Sequence, residues 1–323
     1  MRKEGVIGLL GLLLFSGCLK EELPVPTRAT GAVQEGQACI GADYGEQLWY
    51  DLGSNAVVSA NSKLDWDLAF ECGAEGWHVR LNTARFMRAC PTTLAAIAGP
   101  LDTTGFGAHW RIDHPAGSPD STAVRDWRIG THVFALDLGY NTIGLPMGIR
   151  QLRIASVDAN GYTFELAAMN GNNAQTFTIA KDPARSYVHF SIAGGQAVTI
   201  APPHGQYDLV FTQYTHQFYE PYQAYIVTGA ISGFSGARVA RLTTDDFAAV
   251  SLGDTLAHPF TTDDDGVGYD WKEYDFDTST YTVFPDRVFI LQDGEGLFYK
   301  VHFTDFYNEQ GQRGCPTFEV VAF

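Results

Sequence analysis

Residues 268–323 close the chain with GYDWKEYDF (268–276), YTVFPDRVFILQDGEGLFYKVHFTDFYN (281–308) and GQRGCPTFEVVAF (311–323). Three strand-like runs stand there, 281–284, 288–292 and 298–303, and Asp293-Gly294-Glu295-Gly296 makes a short turn between the last two. Apolar and polar residues alternating with period two, joined by a Gly-containing turn, read as a hairpin with one buried face.

The same signal recurs upstream. Residues 47–52 and 57–59 flank the turn cluster Gly53-Ser54-Asn55, and Asp65-Trp66-Asp67-Leu68-Ala69-Phe70 precedes Gly76-Trp77-His78-Val79-Arg80-Leu81-Asn82-Thr83. A meander follows over 132–138, 148–157, 162–169 and 176–180, with Asn160-Gly161 suited to a tight two-residue turn. Residues 187–192 and 197–200 continue it, and 207–215 and 225–231 read as two further strands. Ahead of the meander, residues 91–130 hold scattered Gly, Pro and Trp without a sustained period, and read as a loop-rich insertion. Only 243–250 has the makings of a helical turn or two, so the fold class is all-β.

The chain opens with Arg2 and Lys3, an apolar run over 6–15 and Phe15-Ser16-Gly17-Cys18. This is a signal peptide over 1–17 with a lipobox-like site, so Cys18 is expected to be lipidated. Leu19-Lys20-Glu21-Glu22 follows, similar to the signal that sends lipoproteins of the Bacteroidetes to the outer surface. Residues 18–36, with Pro24 and Pro26, read as a flexible tether. The expected location is therefore the outer membrane, exposed at the cell surface and held by lipid alone. Formal net charge is −16 with 18% charged residues, which argues against a nucleic-acid partner, since phosphate binding needs clustered Lys and Arg. Setting Cys18 aside, Cys39, Cys72, Cys90 and Cys315 remain, and an even number in an exported chain favours two disulfides. Three pairings stay open, with Cys72–Cys90 attractive as a local clamp and Cys39–Cys315 as a tie between the ends.

Three blocks, 65–82, 207–231 and 268–323, resemble in order the HmuY family of haem-binding lipoproteins, through the WDLAF strand, the YDLVFTQYT strand with its following VTG, and the run from GYDWK to TFEV. The resemblance implies a single large antiparallel β domain over 37–323 with extended loops that grip haem. It further implies a non-catalytic protein that takes haem, free or from haem-bearing host proteins, and passes it to a TonB-dependent outer-membrane receptor. Two axial side chains, His or Met, are expected from the loop after VTG and from the segment before GYDWK; two such ligands saturate the iron for transport.

Here the first loop, 232–238, contains neither His nor Met, and the second, 251–267, contains only His258. His216, in the aromatic segment Thr215-His216-Gln217-Phe218-Tyr219-Glu220-Pro221-Tyr222, adjoins the VTG strand from its other side. His216 and His258 are thus the expected iron ligands, with Phe218, Tyr219, Tyr222 and Phe234 as an apolar wall. The remaining histidines offer less: His78, His189 and His302 lie within strands, and His109, His114, His132 and His204 lack paired spacing. Met87, Met147 and Met169 read as core fillers, and Asp263-Asp264-Asp265-Gly266 as a solvated turn rather than a calcium loop. No GxSxG, HExxH or P-loop string points to an enzyme. Two other readings stay open: a diverged scaffold that has lost haem and binds another small ligand or surface partner, and a glycan-binding or structural surface β protein.

Overall fold

A computed structural model describes residues 30–130 and 133–323; the signal-like segment, Cys18, most of the tether and His132 lie outside the described residues. Twenty strands are formed among them. From the amino end come β1 (Val33–Gln37), β2 (Glu46–Asp51) and β3 (Ala56–Ser62). The middle supplies β4 (Leu68–Glu71), β5 (Val79–Leu81), β6 (Arg88–Pro91), β7 (Val133–Asp137), β8 (Ile149–Val157), β9 (Gly161–Ala168), β10 (Gln175–Ala180), β11 (Tyr187–Ser191) and β12 (Gln196–Val198). The carboxyl end adds β13 (Leu209–Tyr219), β14 (Tyr222–Ile231), β15 (Arg238–Thr243), β16 (Lys272–Asp275), β17 (Thr280–Val283), β18 (Arg287–Gln292), β19 (Phe298–Tyr307) and β20 (Arg313–Ala322). The protein is all-β, and the pairings between these strands are antiparallel.

Two pairs of facing sheets bury the apolar sides of this alternation. In one, the sheet β1-β20-β19-β18-β15 faces β14-β13-β2-β3, and Phe289, Phe303 and Phe318 meet Tyr50, Leu209 and Phe211. In the other, β10-β9-β8-β7-β6 faces β12-β11-β4-β5, and Phe134, Leu152 and Phe164 meet Phe70, Val79 and Phe190. Trp49, Tyr207 and Val210 form a third cluster with Ile200 and Ala201, joining the first pair of sheets to the chain that follows β12. The helical turn falls at Leu252–Leu256 rather than within 243–250, because Ser251 and Asp254 cap it reciprocally.

The closing stretch builds β16 to β20, and Trp271 is its anchor. Its ring is fully buried and stacks on Phe303 at 3.8 Å and 13° between ring planes. Next to it Lys272 is buried too, donating to the Thr228 carbonyl with its ammonium 4.1 Å from the Trp271 ring centroid and 4.6 Å from that of Phe306. Burial pushes the Lys272 pKa down to about 7, the nearby Asp270 opposing it.

Cys39 is bonded to Cys315, while Cys72 and Cys90 are buried free thiols, which corrects the expectation of two disulfides. The reason is topological. Cys72 follows β4, its amide donating to Ser186 O and its sulfur accepting from the Asp182 amide, whereas Cys90 lies in β6 of the opposite sheet. The tie between the ends instead reinforces the β1–β20 pairing, where Val33 to Gln37 register against Val321 to Thr317. Every described strand and this disulfide lie from Val33 onward, so a chain beginning at Thr30 keeps the whole assembly.

Two outcomes are expected. Denatured without reductant, the chain from Thr30 should titrate two thiols, from Cys72 and Cys90, and four after reduction; finding none before reduction would contradict the free pair. For Lys272, the unfolded chain holds a proton that the folded chain has lost between about pH 7 and its ordinary pKa of about 10.4, so stability rises with pH across that window. Lys272→Met should therefore be more stable than the parent at pH 6, by about 1–4 kcal/mol, with the advantage shrinking by pH 9.5. Urea midpoints that show no pH-dependent difference would refute the buried charge.

Candidate functional site

The hairpin β13–β14 leaves its sheet. Strand β13 pairs with β2 only at Leu209, Val210 and Phe211, yet runs ten cross-strand pairs with β14 out to Tyr219 and Tyr222. The expected aromatic loop is thus strand up to a tight turn at Glu220-Pro221, because the alternation Thr215-His216-Gln217-Phe218 continues to the proline that ends it. Cross-strand partners share a face, so Gln217, Tyr219, Tyr222 and Ala224 lie on one side of this arm, with His216 and Phe218 on the other.

The tyrosine side overlooks a groove. Its far wall is the stretch between β6 and β7, which contains the single-turn 3-10 helices Gly107–His109 and Pro119–Ser121. Phe86, Trp110, His109 and His114 line an opening of about 670 Å³ with Tyr219 and Tyr222. A second hollow of about 640 Å³, bordered by Tyr44, Lys63, Tyr140 and Tyr225, shares Phe86 and Ala224 with it. Both volumes fall in the range of small-ligand sites, roughly 300–1,000 Å³. Phe86 holds a left-handed backbone at φ 60°, and Tyr44 at φ 55°, a conformation that non-glycine residues adopt at a cost.

Within the groove the two histidines differ. His114 is engaged: Nδ1 accepts from the Ala116 amide at 3.2 Å, which leaves Nε2 as the protonated nitrogen, donating to the Tyr219 hydroxyl at 3.0 Å. His109 is exposed, and its imidazole has no hydrogen bond among the described residues. Arg88 bonds Asp137 and lies over Phe86 and Trp110, with 5.2 and 5.3 Å to their ring centroids. The aperiodic 91–130 stretch had carried no site expectation. His109-Trp110-Arg111-Ile112-Asp113-His114, two imidazoles and an arginine within six residues, is the signal that was there to read.

The expected site residues are divided among several places. Tyr219 and Tyr222 line the groove. His216 and Phe218 turn away, their rings 4.9 and 5.9 Å from that of Tyr269. His216 Nδ1 is buried 3.5 Å from Asp265 Oδ2 without a hydrogen bond. His258 is exposed just after the Leu252–Leu256 turn, its amide bonded to Asp254 O, and no contact joins it to His216 among the described residues. Phe234 packs 4.9 Å from the Tyr187 ring, beneath the Arg80 guanidinium at 4.2 Å. Met147, read as a core filler, is 39% exposed beside Arg85.

Phe234 lines an interior cavity of about 80 Å³, together with Trp49, Trp66, His189 and Tyr214. Burial drives the His189 pKa down to about 3, with Arg185 adding to the effect, so this imidazole is neutral near pH 7. Asp264, from the acidic run, is buried here: it accepts from Ser232 Oγ at 2.6 Å and the Phe234 amide at 3.2 Å, and burial raises its pKa. It therefore secures the loop after β14 and is no part of a solvated turn. The cavity admits a few waters at most and is far too small for a tetrapyrrole. Among the described residues no group of three or more His, Cys, Asp or Glu side chains is gathered to hold a metal ion.

Comparison with known structures gives loose overlaps. Apo PinO from Porphyromonas gingivitis aligns over 90% of this chain and 97% of its own at 8% identity and a TM-score of 0.27. An apo HmuY analog from Tannerella forsythia aligns over 91% and 97% at 10% identity and 0.24. A HmuY-like heme-binding protein from Bacteroides vulgatus aligns over 53% and 91% at 11% identity and 0.22. No curated protein matches. Overlaps this loose transfer no residue roles. The model of the HmuY protein family, however, matches residues 43–320, nearly the whole described β structure. The chain therefore belongs to the HmuY family, a haem-binding family.

Proposed function

We propose that this protein is a non-catalytic, lipid-anchored surface lipoprotein that binds haem in the groove beneath the β13–β14 arm and hands it to a TonB-dependent outer-membrane receptor. The observation that carries the reading is the groove itself, an opening of about 670 Å³ in which two histidines stand among aromatic rings. Imidazole nitrogen coordinates haem iron axially, and the flat macrocycle gains most of its affinity by burying its faces against apolar side chains. Trp110, Tyr219 and Tyr222 supply such surfaces, and His109 offers an uncommitted imidazole. His114 can add a second only when Tyr219 releases Nε2 and the ring leaves the Ala116 amide, so that the proton moves to Nδ1 and frees the Nε2 lone pair for iron. Cys18 would carry the lipid, and haem or haem-bearing host proteins would be the source of cargo.

Family membership favours haem, while the loops 232–238 and 251–267 offer only the exposed His258. That shortage favours the groove over the expected His216 and His258 pair. Haemin titration of the chain from Thr30, followed in the Soret band, separates the sites. His109→Ala and His114→Ala should each weaken binding by about tenfold or more, the equivalent of about 1.4 kcal/mol for one lost coordinate bond, with His258→Ala and His216→Phe, which keeps a ring against Tyr269, near the parent. The reverse pattern would return the site to the loops. Haemin that never saturates would leave a diverged scaffold serving another ligand.

A further inference from the structure

The positive wall of the groove has no explanation in packing. Arg88 is committed to Asp137, yet the other two guanidiniums that line the opening, Arg111 and Arg125, make no hydrogen bond or ion pair among the described residues. Asp120, exposed in the same groove, pairs with neither. In a chain with 37 acidic and 21 basic residues, two neighbouring arginines without a carboxylate are out of keeping with the surface. Arg111 is half-buried, and its pKa is pulled down first by burial and then by the like charge of Arg125. An anion bound beside both guanidiniums would offset the like charge that Arg111 meets there.

The backbone fixes where Arg125 stands. Arg125 sits at φ 50°, in the left-handed region where a side chain costs of order 1 kcal/mol and glycine costs nothing. Its turn is fixed on both sides, its amide donating to Thr122 O and its carbonyl accepting from the Trp127 amide. The side chain that this turn carries is exposed and fronts the groove.

We propose that Arg111 and Arg125 form a carboxylate-reading end of the groove, which takes the paired carboxylates of a planar tetrapyrrole while Trp110, Tyr219 and Tyr222 cover its apolar face. The inference rests on the groove being the haem site and adds what selects the ligand there. Guanidinium forks match carboxylates bidentately, so the selection is by the ligand's acid groups and is independent of iron.

The experiment compares haemin, metal-free protoporphyrin IX and its dimethyl ester on the chain from Thr30, by fluorescence quenching and calorimetry at two salt concentrations. The parent should bind the free acid about tenfold tighter than the diester, with the margin falling as salt rises. Arg111→Gln and Arg125→Gly should each shrink that margin, and the double variant should abolish it, while Arg128→Gln, a surface arginine paired with Asp126, should keep it. Because glycine relieves the φ of Arg125, Arg125→Gly should melt no lower than the parent, which separates lost charge from lost fold. Equal affinity for acid and diester in the parent, or variants that keep the margin, would overturn the arginine assignment with the groove reading intact. Failure of every tetrapyrrole to saturate would overturn both.

Discussion

A two-stranded ribbon in water is barely stable by itself, and β13–β14 is such a ribbon once it passes β2. Everything around the site can be understood as bracing for it. At its base Phe211 and Ala230 enter the main core, and Gly229 admits the backbone of Gly268 so closely that a Cβ would stand 2.2 Å from its oxygen. The amide of Gly268 donates to Ala230 O and the amide of Ala230 to Gly268 O, which links the arm directly to the segment bearing Trp271. Midway, Thr215 donates to Thr83 O at 2.7 Å. At the tip, one face rests on Tyr269 through His216 and Phe218, and the other meets His114 through Tyr219.

That division of the arm explains why His216 does not face the groove. Period-two geometry sends successive side chains to opposite sides, so the residues that prop the arm and the residues that overlook the groove must alternate. His216 is on the propping side. The aromatic wall expected from Phe218, Tyr219, Tyr222 and Phe234 is divided by the fold: Phe218 goes to packing, Tyr219 and Tyr222 to the opening, and Phe234 to the interior cavity.

Much of the fold was legible in the sequence, because alternation and turn residues act locally. The runs 281–284, 288–292 and 298–303 correspond to β17, β18 and β19, and Gly53-Ser54-Asn55 does separate β2 from β3. The family likewise followed from ordered motifs, and the match over residues 43–320 bears it out. The groove was less legible. His109, Arg111, His114 and Arg125 sit in a stretch without period, and no local rule says which strand that stretch will face.

The sequence by itself therefore determined that the chain is an antiparallel β protein of the HmuY family, since side-chain alternation and short turns are properties of neighbours along the chain. Tertiary structure alone decided which cysteines bond, which histidines share a space and which arginines stay unpaired. Those outcomes depend on residues far apart in sequence, Cys39 with Cys315 and His114 with Tyr219, being brought within a few ångströms by the sheets between them.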